Sequence, residues 1–312
     1  MRAPSYLRIS VTSRCNLRCI YCRDDGSATA GSSGASLSAE QIIRFARFAA
    51  MCGVKKVRLT GGEPLLHDEI VEIARRLRSI EGIRTIGLTT NGVLLKALAA
   101  PLRAAGLSSV NMSLPSLRRD VFARATGGGK LDDALAGLET LLRERYSPIK
   151  LNVVVMRDVN LDEVPSLARL AQSEPVEVRF IEFMPFTKLR TDQCVSNNDV
   201  FERFKEVGRL RSLGNVPRSS AARLYSVEGF RGRIGFISPM SHPFCANCDR
   251  LRLTADGKLR ACLVEGGEVD ARHILNDGLG VEAMREIIAR AMSMKPACHR
   301  RSFTGDMSCI GG

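Results

Sequence analysis

Residues 7–22 read Leu7-Arg8-Ile9-Ser10-Val11-Thr12-Ser13-Arg14-Cys15-Asn16-Leu17-Arg18-Cys19-Ile20-Tyr21-Cys22. The first six alternate apolar and polar side chains, the period of an extended strand. Three cysteines follow directly. Two would make a bridge and four would close a zinc site, so three suggest a metal cluster left one protein ligand short. A strand running straight into such a loop is the layout of an α/β barrel, whose chemistry sits at the C-terminal ends of its strands.

Further strands are expected at 54–60, 83–90, 108–113, 149–155 and 176–183, after a first one at 6–12. Helical periodicity falls between them at 38–51, 67–79, 93–104, 131–145 and 162–172, and again near 281–294. Ser38 with Gln41 reads as a capping box for the first helix. The alternation of strand and helix implies a parallel sheet, open or closed. Residues 26–36 and Gly127-Gly128-Gly129 read as flexible loops. After residue 185 the rhythm breaks, which divides the chain into 1–185 and 186–312.

Parallel strands covered on both faces normally read as continuous apolar runs. These alternate instead. Val57 and Leu59 oppose Lys56, Arg58 and Thr60; Ile86 and Leu88 oppose Thr85, Gly87 and Thr89. Asn111 and Ser113 share a face, Leu151 and Val153 oppose Lys150 and Asn152, and Glu177 shares a face with Arg179. The reading is a lumen too wide to fill with side chains. Arg and Lys are rarely buried without a partner, so cations from four strands facing inward call for a bound anion. An antiparallel sheet with one wet face is the plain alternative, but helix-length segments separate these strands.

The chain has 312 residues, 45% of them hydrophobic and 25% charged, enough length for a sizeable core. No apolar run approaches the ~18 residues of a membrane span. The N-terminus leads directly into the first strand, so no signal peptide is read and a cytoplasmic protein is expected. Ten cysteines in such a chain argue for metal or redox use rather than disulfides. Cys52, Cys194, Cys298 and Cys309 are scattered and read as buried small hydrophobes or idle thiols. The formal net charge of +13 implies an anionic partner or a solvated basic surface. With four tyrosines and no tryptophan, stacking platforms for nucleic acid are sparse.

Two further motifs carry chemistry. Thr60-Gly61-Gly62-Glu63-Pro64 ends the second strand, where adjacent glycines permit close approach to a ligand and Glu63 can accept from an ammonium. Phe244-Cys245-Ala246-Asn247-Cys248-Asp249-Arg250-Leu251-Arg252-Leu253 is followed, after an Asp256-Gly257 turn, by Cys262. Again there are three cysteines, which favours a second iron–sulfur cluster with an open iron. A zinc site completed by His242, His273, Cys298, His299 or Cys309 is the alternative. Arg250 and Arg252 alternate on a strand, so both can point at a ligand beside that cluster.

Cysteines spaced as Cys15, Cys19 and Cys22 after a first strand, with Tyr21 before the last, resemble the radical S-adenosylmethionine (SAM) superfamily. Together with Arg58-Leu59-Thr60-Gly61-Gly62-Glu63-Pro64-Leu65, Leu88-Thr89-Thr90-Asn91-Gly92, Phe180-Ile181-Glu182-Phe183-Met184-Pro185, the second cysteine group and the terminal Gly311-Gly312, they resemble the GTP 3',8-cyclase family of molybdenum cofactor biosynthesis over nearly the whole chain. That resemblance implies a partial (βα)6 TIM-type barrel with a C-terminal domain, two [4Fe–4S] clusters, and SAM. It implies cluster ligation by Cys15, Cys19 and Cys22, and by Cys245, Cys248 and Cys262. Gly62, Glu63, Ser113 and Met184 match SAM positions, with Tyr21 beside the cluster. Arg8, Arg58, Thr89 and Lys150 match positions near GTP, with Lys56 and Arg179 as further cations. Arg250, Leu251 and Arg252 match a GTP-binding run. Arg250, Arg252, Gly311 and Gly312 carry the implied catalytic roles.

The implied reaction removes the ribose 3'-hydrogen of GTP and joins that carbon to guanine C8, giving 3',8-cyclo-7,8-dihydro-GTP. The implied partners are a reductase or flavodoxin-type electron donor and the cyclic pyranopterin monophosphate synthase that takes the product; a homodimer stays open. The chain departs from the family pattern at Arg23-Asp24, at Pro115 and at Cys309. Two rivals are weighed against this reading. One is a radical SAM paralogue with an auxiliary cluster acting on another nucleotide, a peptide or RNA. The other is a zinc-containing RNA-binding protein.

Overall fold

The structure, a computed structural model, describes residues 4–22, 35–184, 192–214, 220–277, 280–298 and 310–311. Six parallel strands lie side by side in chain order: β1 (Tyr6–Ser10), β2 (Lys56–Thr60), β3 (Thr85–Thr90), β4 (Ser109–Ser113), β5 (Ile149–Val155) and β6 (Val176–Glu182). Helices fill the crossovers: α1 (Ala39–Met51), α2 (Ile70–Arg78), α3 (Leu95–Ala104), α4 (Arg119–Thr126), α5 (Leu131–Arg143), a short α6 (Arg157–Asn160) and α7 (Val164–Ser173). The capping box at Ser38 is formed, with Gln41 N–H donating to Ser38 Oγ at 3.2 Å and Ser38 N–H to Gln41 Oε1 at 2.9 Å. The parallel register disposes of the wet antiparallel sheet.

The rest of the chain contributes α8 (Asn197–Arg203), β7 (Leu210–Ser212), β8 (Ala222–Val227), β9 (Arg233–Ile237), β10 (Arg250–Leu253), β11 (Lys258–Cys262), β12 (Gly266–Asp270), α9 (Arg272–Asp277) and α10 (Val281–Ser293). These strands build no sheet of their own. β9 pairs in parallel with β6, and β8 and β7 follow it antiparallel. β10 pairs in parallel with β1, and β11 and β12 follow. One curled half-barrel sheet results, with the later residues widening both of its edges.

The two faces separate as the alternation requires. Leu7, Ile9, Val57, Leu59, Leu88, Leu151, Val153, Val178 and Phe180 are buried under the helices, against Ile42, Phe45, Ile73, Leu77, Leu102 and Leu167. Burying such side chains stabilises the fold by about 1.5–3 kcal/mol each. In a parallel sheet, residues in register share a face. Arg252, Arg8, Arg58, Gly87 and Ser109 therefore form one row across the lumen side. Arg250, Tyr6, Lys56 and Thr85 form a second row below it.

One expectation changes. Gly127 belongs to no slack loop: it caps α4, and its neighbour Thr126 accepts from Arg18 N–H at 2.9 Å. The loop at 26–36 lies mostly outside the described residues.

Candidate active site in the lumen

The first cysteine loop is pinned from two sides. Arg18 N–H and Ile20 N–H donate to the carbonyls of Thr126 and Ala125 at 2.9 and 3.0 Å. On the other side Gly62 N–H donates to Thr12 O at 2.8 Å and Glu63 N–H to Arg14 O at 2.7 Å. The role of the glycine pair is thereby revised, because it admits the loop's own backbone. A Cβ at Gly62 would stand 2.2 Å from Arg14 O and 2.6 Å from Ser13 O.

Cys15, Cys19 and Cys22 then line one cavity with Tyr21, Thr60, Gly61, Gly62, Glu63, Thr89, Thr90, Asn91 and Ser113. Burial, and then the charges of Cys19, Cys22 and Cys15, push the Tyr21 phenol well above its ordinary range. Glu63 is 1% exposed and accepts from Thr90 Oγ1 at 2.7 Å, Leu65 N–H at 3.1 Å and Asn91 N–H at 2.8 Å. A carboxylate has about four acceptor sites, so one stays available for an ammonium. Burial raises this carboxyl to about 7 against those three donors. Thr89, expected near GTP, lines the cysteine cavity, and its Oγ1 is buried without a partner. Met184 lies half-buried just past β6 and is not among the described residues lining that cavity.

The lumen floor carries the cations. Arg58 is 2% exposed and donates to Tyr6 Oη at 2.7 Å, Leu88 O at 2.6 Å and Ser109 Oγ at 3.4 Å. Its guanidinium lies across β3 because position 87 is glycine; a Cβ there would be 2.7 Å from Arg58 Cζ. Arg8 Nε is buried with no hydrogen-bond partner, as are Asn111 Oδ1 and Asn152 Oδ1 on the same face. Burial, and then Arg179, lower Lys150 to about 8, and burial likewise lowers Lys56. Arg179 pairs with Glu177, the one acid among the described residues on this stretch of floor. Seven cations thus face Glu177 and a phenol, with Asp249 adding its charge beside Arg250.

The second cysteine group borders this floor. Cys245 opens a 3-10 turn in which Cys248 N–H donates to Cys245 O at 3.0 Å, and Cys262 ends β11. Burial would raise the Cys248 thiol, but Lys295 and Arg250 hold it below its ordinary value. Lys295 Nζ donates to Arg250 O at 2.6 Å, Ala261 O at 2.8 Å and Cys248 Sγ at 3.5 Å. Arg260 Nε donates to Cys262 O at 2.8 Å and pairs with Glu268 at 2.6 Å. Glu182, at the end of β6, accepts from the N–H groups of Met240 and Ser241, both at 2.9 Å, and so moors the segment leading to Cys245. Among the described residues, no three His, Cys, Asp or Glu side chains are placed around a single metal ion.

Arg250 and Arg252 both reach the lumen from β10, Arg250 lying 5.0 Å from the Phe244 ring centre. Leu251 between them is fully buried in the apolar layer, because it points the other way, so only its backbone is offered to a ligand. Arg252 Nη1 donates to Gly311 O. Gly311 also lies on Thr60, since a Cβ there would be 2.3 Å from Thr60 Oγ1. This residue therefore touches both the second cysteine region and the rim of the first cavity. Gly312 lies outside the described residues.

A family model described as the Radical SAM superfamily matches residues 9–171, more than half of the chain. Another, Molybdenum Cofactor Synthesis C, matches residues 176–301. The GTP 3',8-cyclase of Thermodesulfovibrio yellowstonii is 42% identical over 318 residues, covering 100% of this chain and 98% of that protein. The chain belongs to the GTP 3',8-cyclase family of radical SAM enzymes. The molybdenum cofactor biosynthesis protein 1 of Bos taurus is similar to this cyclase-family chain at 40% identity, covering 97% of it and 48% of the bovine protein. Among solved structures, Streptococcus suis SuiB bound to S-adenosylmethionine matches with a TM-score of 0.60 at 16% identity, over 90% of this chain and 68% of that one. That likeness concerns the fold alone.

Family membership brings SAM and an iron–sulfur cluster with it. The first cavity fits both. Its lining includes three thiols, a buried carboxylate with acceptor capacity to spare, and the unpartnered Thr89 hydroxyl.

Sequence reasoning gave no role to three residues of the site. Tyr6 looked like an ordinary strand residue, although its parity with Arg8 placed it on the lumen face. Lys295 and Glu182 act across 47 and 58 residues of chain, and no local pattern announces that.

Proposed function

We propose that this chain converts GTP to 3',8-cyclo-7,8-dihydro-GTP, the first step of molybdenum cofactor biosynthesis, by joining ribose C3' to guanine C8. The observation that carries the reading is the lumen floor: Arg8, Lys56, Arg58, Lys150, Arg179, Arg250 and Arg252 converge there with Glu177 as the acid among them. A triphosphate supplies the missing negative charge, and charge-assisted contacts to phosphate are the strong ones.

Cys15, Cys19 and Cys22 would hold the cluster that, with SAM, would supply the radical chemistry, and Cys245, Cys248 and Cys262 would hold a second cluster that would help to bind the guanine. The chain's own residues do the positioning. Arg8, Lys56 and Lys150 seat the phosphates, while Arg58, buried and triply held, gives the floor a fixed charge. Arg250 and Arg252 bracket the purine end, and the Gly311 carbonyl orients Arg252. Thr89, Ser113 and Glu63 hold SAM, with Tyr21 at its edge. Holding the reacting carbons in near-attack geometry, away from water, is the protein's main contribution, since a carbon radical reacts with what lies closest.

Residues 1–185 form the barrel unit and 186–312 the unit that brings the second cysteine group. A reductase or flavodoxin-type protein delivers electrons, and the cyclic pyranopterin monophosphate synthase takes the product. Anaerobic incubation with SAM, GTP and a reductant tests the reading. Appearance of the cyclised nucleotide together with 5'-deoxyadenosine is expected. Cleavage of SAM without a GTP-derived product would point to the paralogue acting on another substrate.

A further inference from the structure

Tyr6 stands first on β1, and its register partners are Lys56 on β2 and Arg250 on β10. Arg58 Nε donates to its phenol oxygen at 2.7 Å. Lys56 Nζ lies 4.7 Å from the ring centre, and the Arg8 guanidinium carbon 5.7 Å from it. Cations from three strands therefore surround one phenol. Arg179 and Lys150 lie beyond Lys56 and Arg58, and Glu177 is already occupied by Arg179. A tyrosine that merely filled space would offer its ring to this cluster and keep its oxygen elsewhere. Burial by itself would raise the phenol, but Arg58, Arg8 and Lys56 bring it down to about 6.

We propose that Tyr6 is a positioning residue of the triphosphate site: its oxygen holds the fixed Arg58 and its ring faces Lys56 and Arg8, keeping the three converged before substrate arrives, and when GTP binds the oxygen takes up one proton from the buffer and Lys56 and Arg8 turn to the phosphates. The inference deepens the GTP reading and rests on it. The physical reason is charge balance. With the lumen empty of nucleotide, the phenolate is the negative charge that lets like-charged side chains share a buried floor. A triphosphate brings several negative charges to the same cations, so the phenolate becomes the disfavoured form and its pKa climbs toward the ordinary phenol range. The oxygen gains one proton and no electrons move. A site arranged beforehand also spares the ordering that GTP would otherwise have to impose on long side chains.

The test is carbon-13 NMR of the cluster-loaded, anaerobically prepared protein labelled at tyrosine Cζ, whose shift reports phenol ionisation. The chain has four tyrosines, and Tyr6→Phe identifies the signal by its loss. Should that variant fail to fold, the signal is the one that titrates near about 6 without nucleotide. Saturating GTP is expected to convert this signal from phenolate to phenol at neutral pH. Tyr6→Phe is expected to raise KM for GTP about tenfold and to change kcat by less than about threefold. A Tyr6 that stays a phenol without GTP, or stays phenolate when calorimetry shows GTP bound, overturns the inference and leaves the GTP reading standing. Failure of GTP to bind the intact protein overturns both.

Discussion

The loop of Cys15, Cys19 and Cys22 is fastened by backbone, whereas the loop of Cys245 and Cys248 is fastened by side chains. Four main-chain hydrogen bonds tie the first to α4 and to the Gly61-Gly62-Glu63 turn. The second depends on Lys295 for Cys248, Arg260 for Cys262 and Glu182 for the approaching segment. The first loop hangs between parallel strands whose ends the barrel already fixes. The second belongs to short strands at a widened edge, where the antiparallel β10–β11 ladder brings Cys262 toward Cys248 and charged side chains fasten what that short ladder leaves loose. Backbone fastening tolerates changes of side chain and is broken by a Cβ; side-chain fastening is broken by a single truncation.

The largest expected effect divides the two loops by chemistry. Cys19→Ser is expected to lower SAM cleavage about a thousandfold or more, while Cys248→Ser keeps much of that cleavage and loses cyclisation. Quantifying 5'-deoxyadenosine and cyclised nucleotide in one anaerobic reaction checks both, and a Cys248→Ser protein that still cyclised GTP would undo the division. Next comes Gly62→Ala. Its Cβ collides with Arg14 O, so a loss of about 2–4 kcal/mol and a drop in iron bound at the first loop are expected. Gly280→Ala meets nothing within 4 Å and serves as the control, both read by thermal unfolding and iron content.

A smaller effect is expected for Lys295→Met. It leaves two carbonyls and a sulfur without their ammonium donor, a loss of about 1–3 kcal/mol. Iron at the second group should fall while the first is retained, which electron paramagnetic resonance of the reduced protein can separate. The smallest effect concerns pH. The Glu63 carboxyl is raised to about 7, so in the empty protein it is protonated below that value. The SAM ammonium favours the ionised form, so binding releases a proton and affinity rises as pH climbs through about 7. Glu63→Gln should flatten that rise, amounting to about tenfold at most, in calorimetric titrations with SAM at several pH values.

The barrel half was legible because its strands alternate so strictly. Leu7, Ile9, Val57 and Leu59 against Arg8, Lys56 and Arg58 fix both the strand and the face each residue takes. The same parity located the floor cations and, applied to Leu251, would have turned it away from the lumen. The edge extensions were not legible. β7 spans Leu210–Ser212 and is largely exposed, and the pairing of β10 with β1 links residues some 240 positions apart, which no local propensity encodes. α4 escaped notice because its eight residues, Arg119–Thr126, are mostly charged or small and end in a glycine run that reads as a loop. The glycine pair after β2 was found for its closeness to a ligand, yet what it admits is the neighbouring loop's own carbonyls.

The central claim is that the floor cations hold a triphosphate between the two cysteine loops. Calorimetric binding of GTP and of guanosine to the anaerobic, cluster-loaded protein tests it most directly. GTP is expected to bind about a hundredfold more tightly than guanosine, a difference of about 3 kcal/mol, with the gap narrowing as salt is raised. Guanosine binding within about threefold of GTP, at low and high salt alike, would contradict the account.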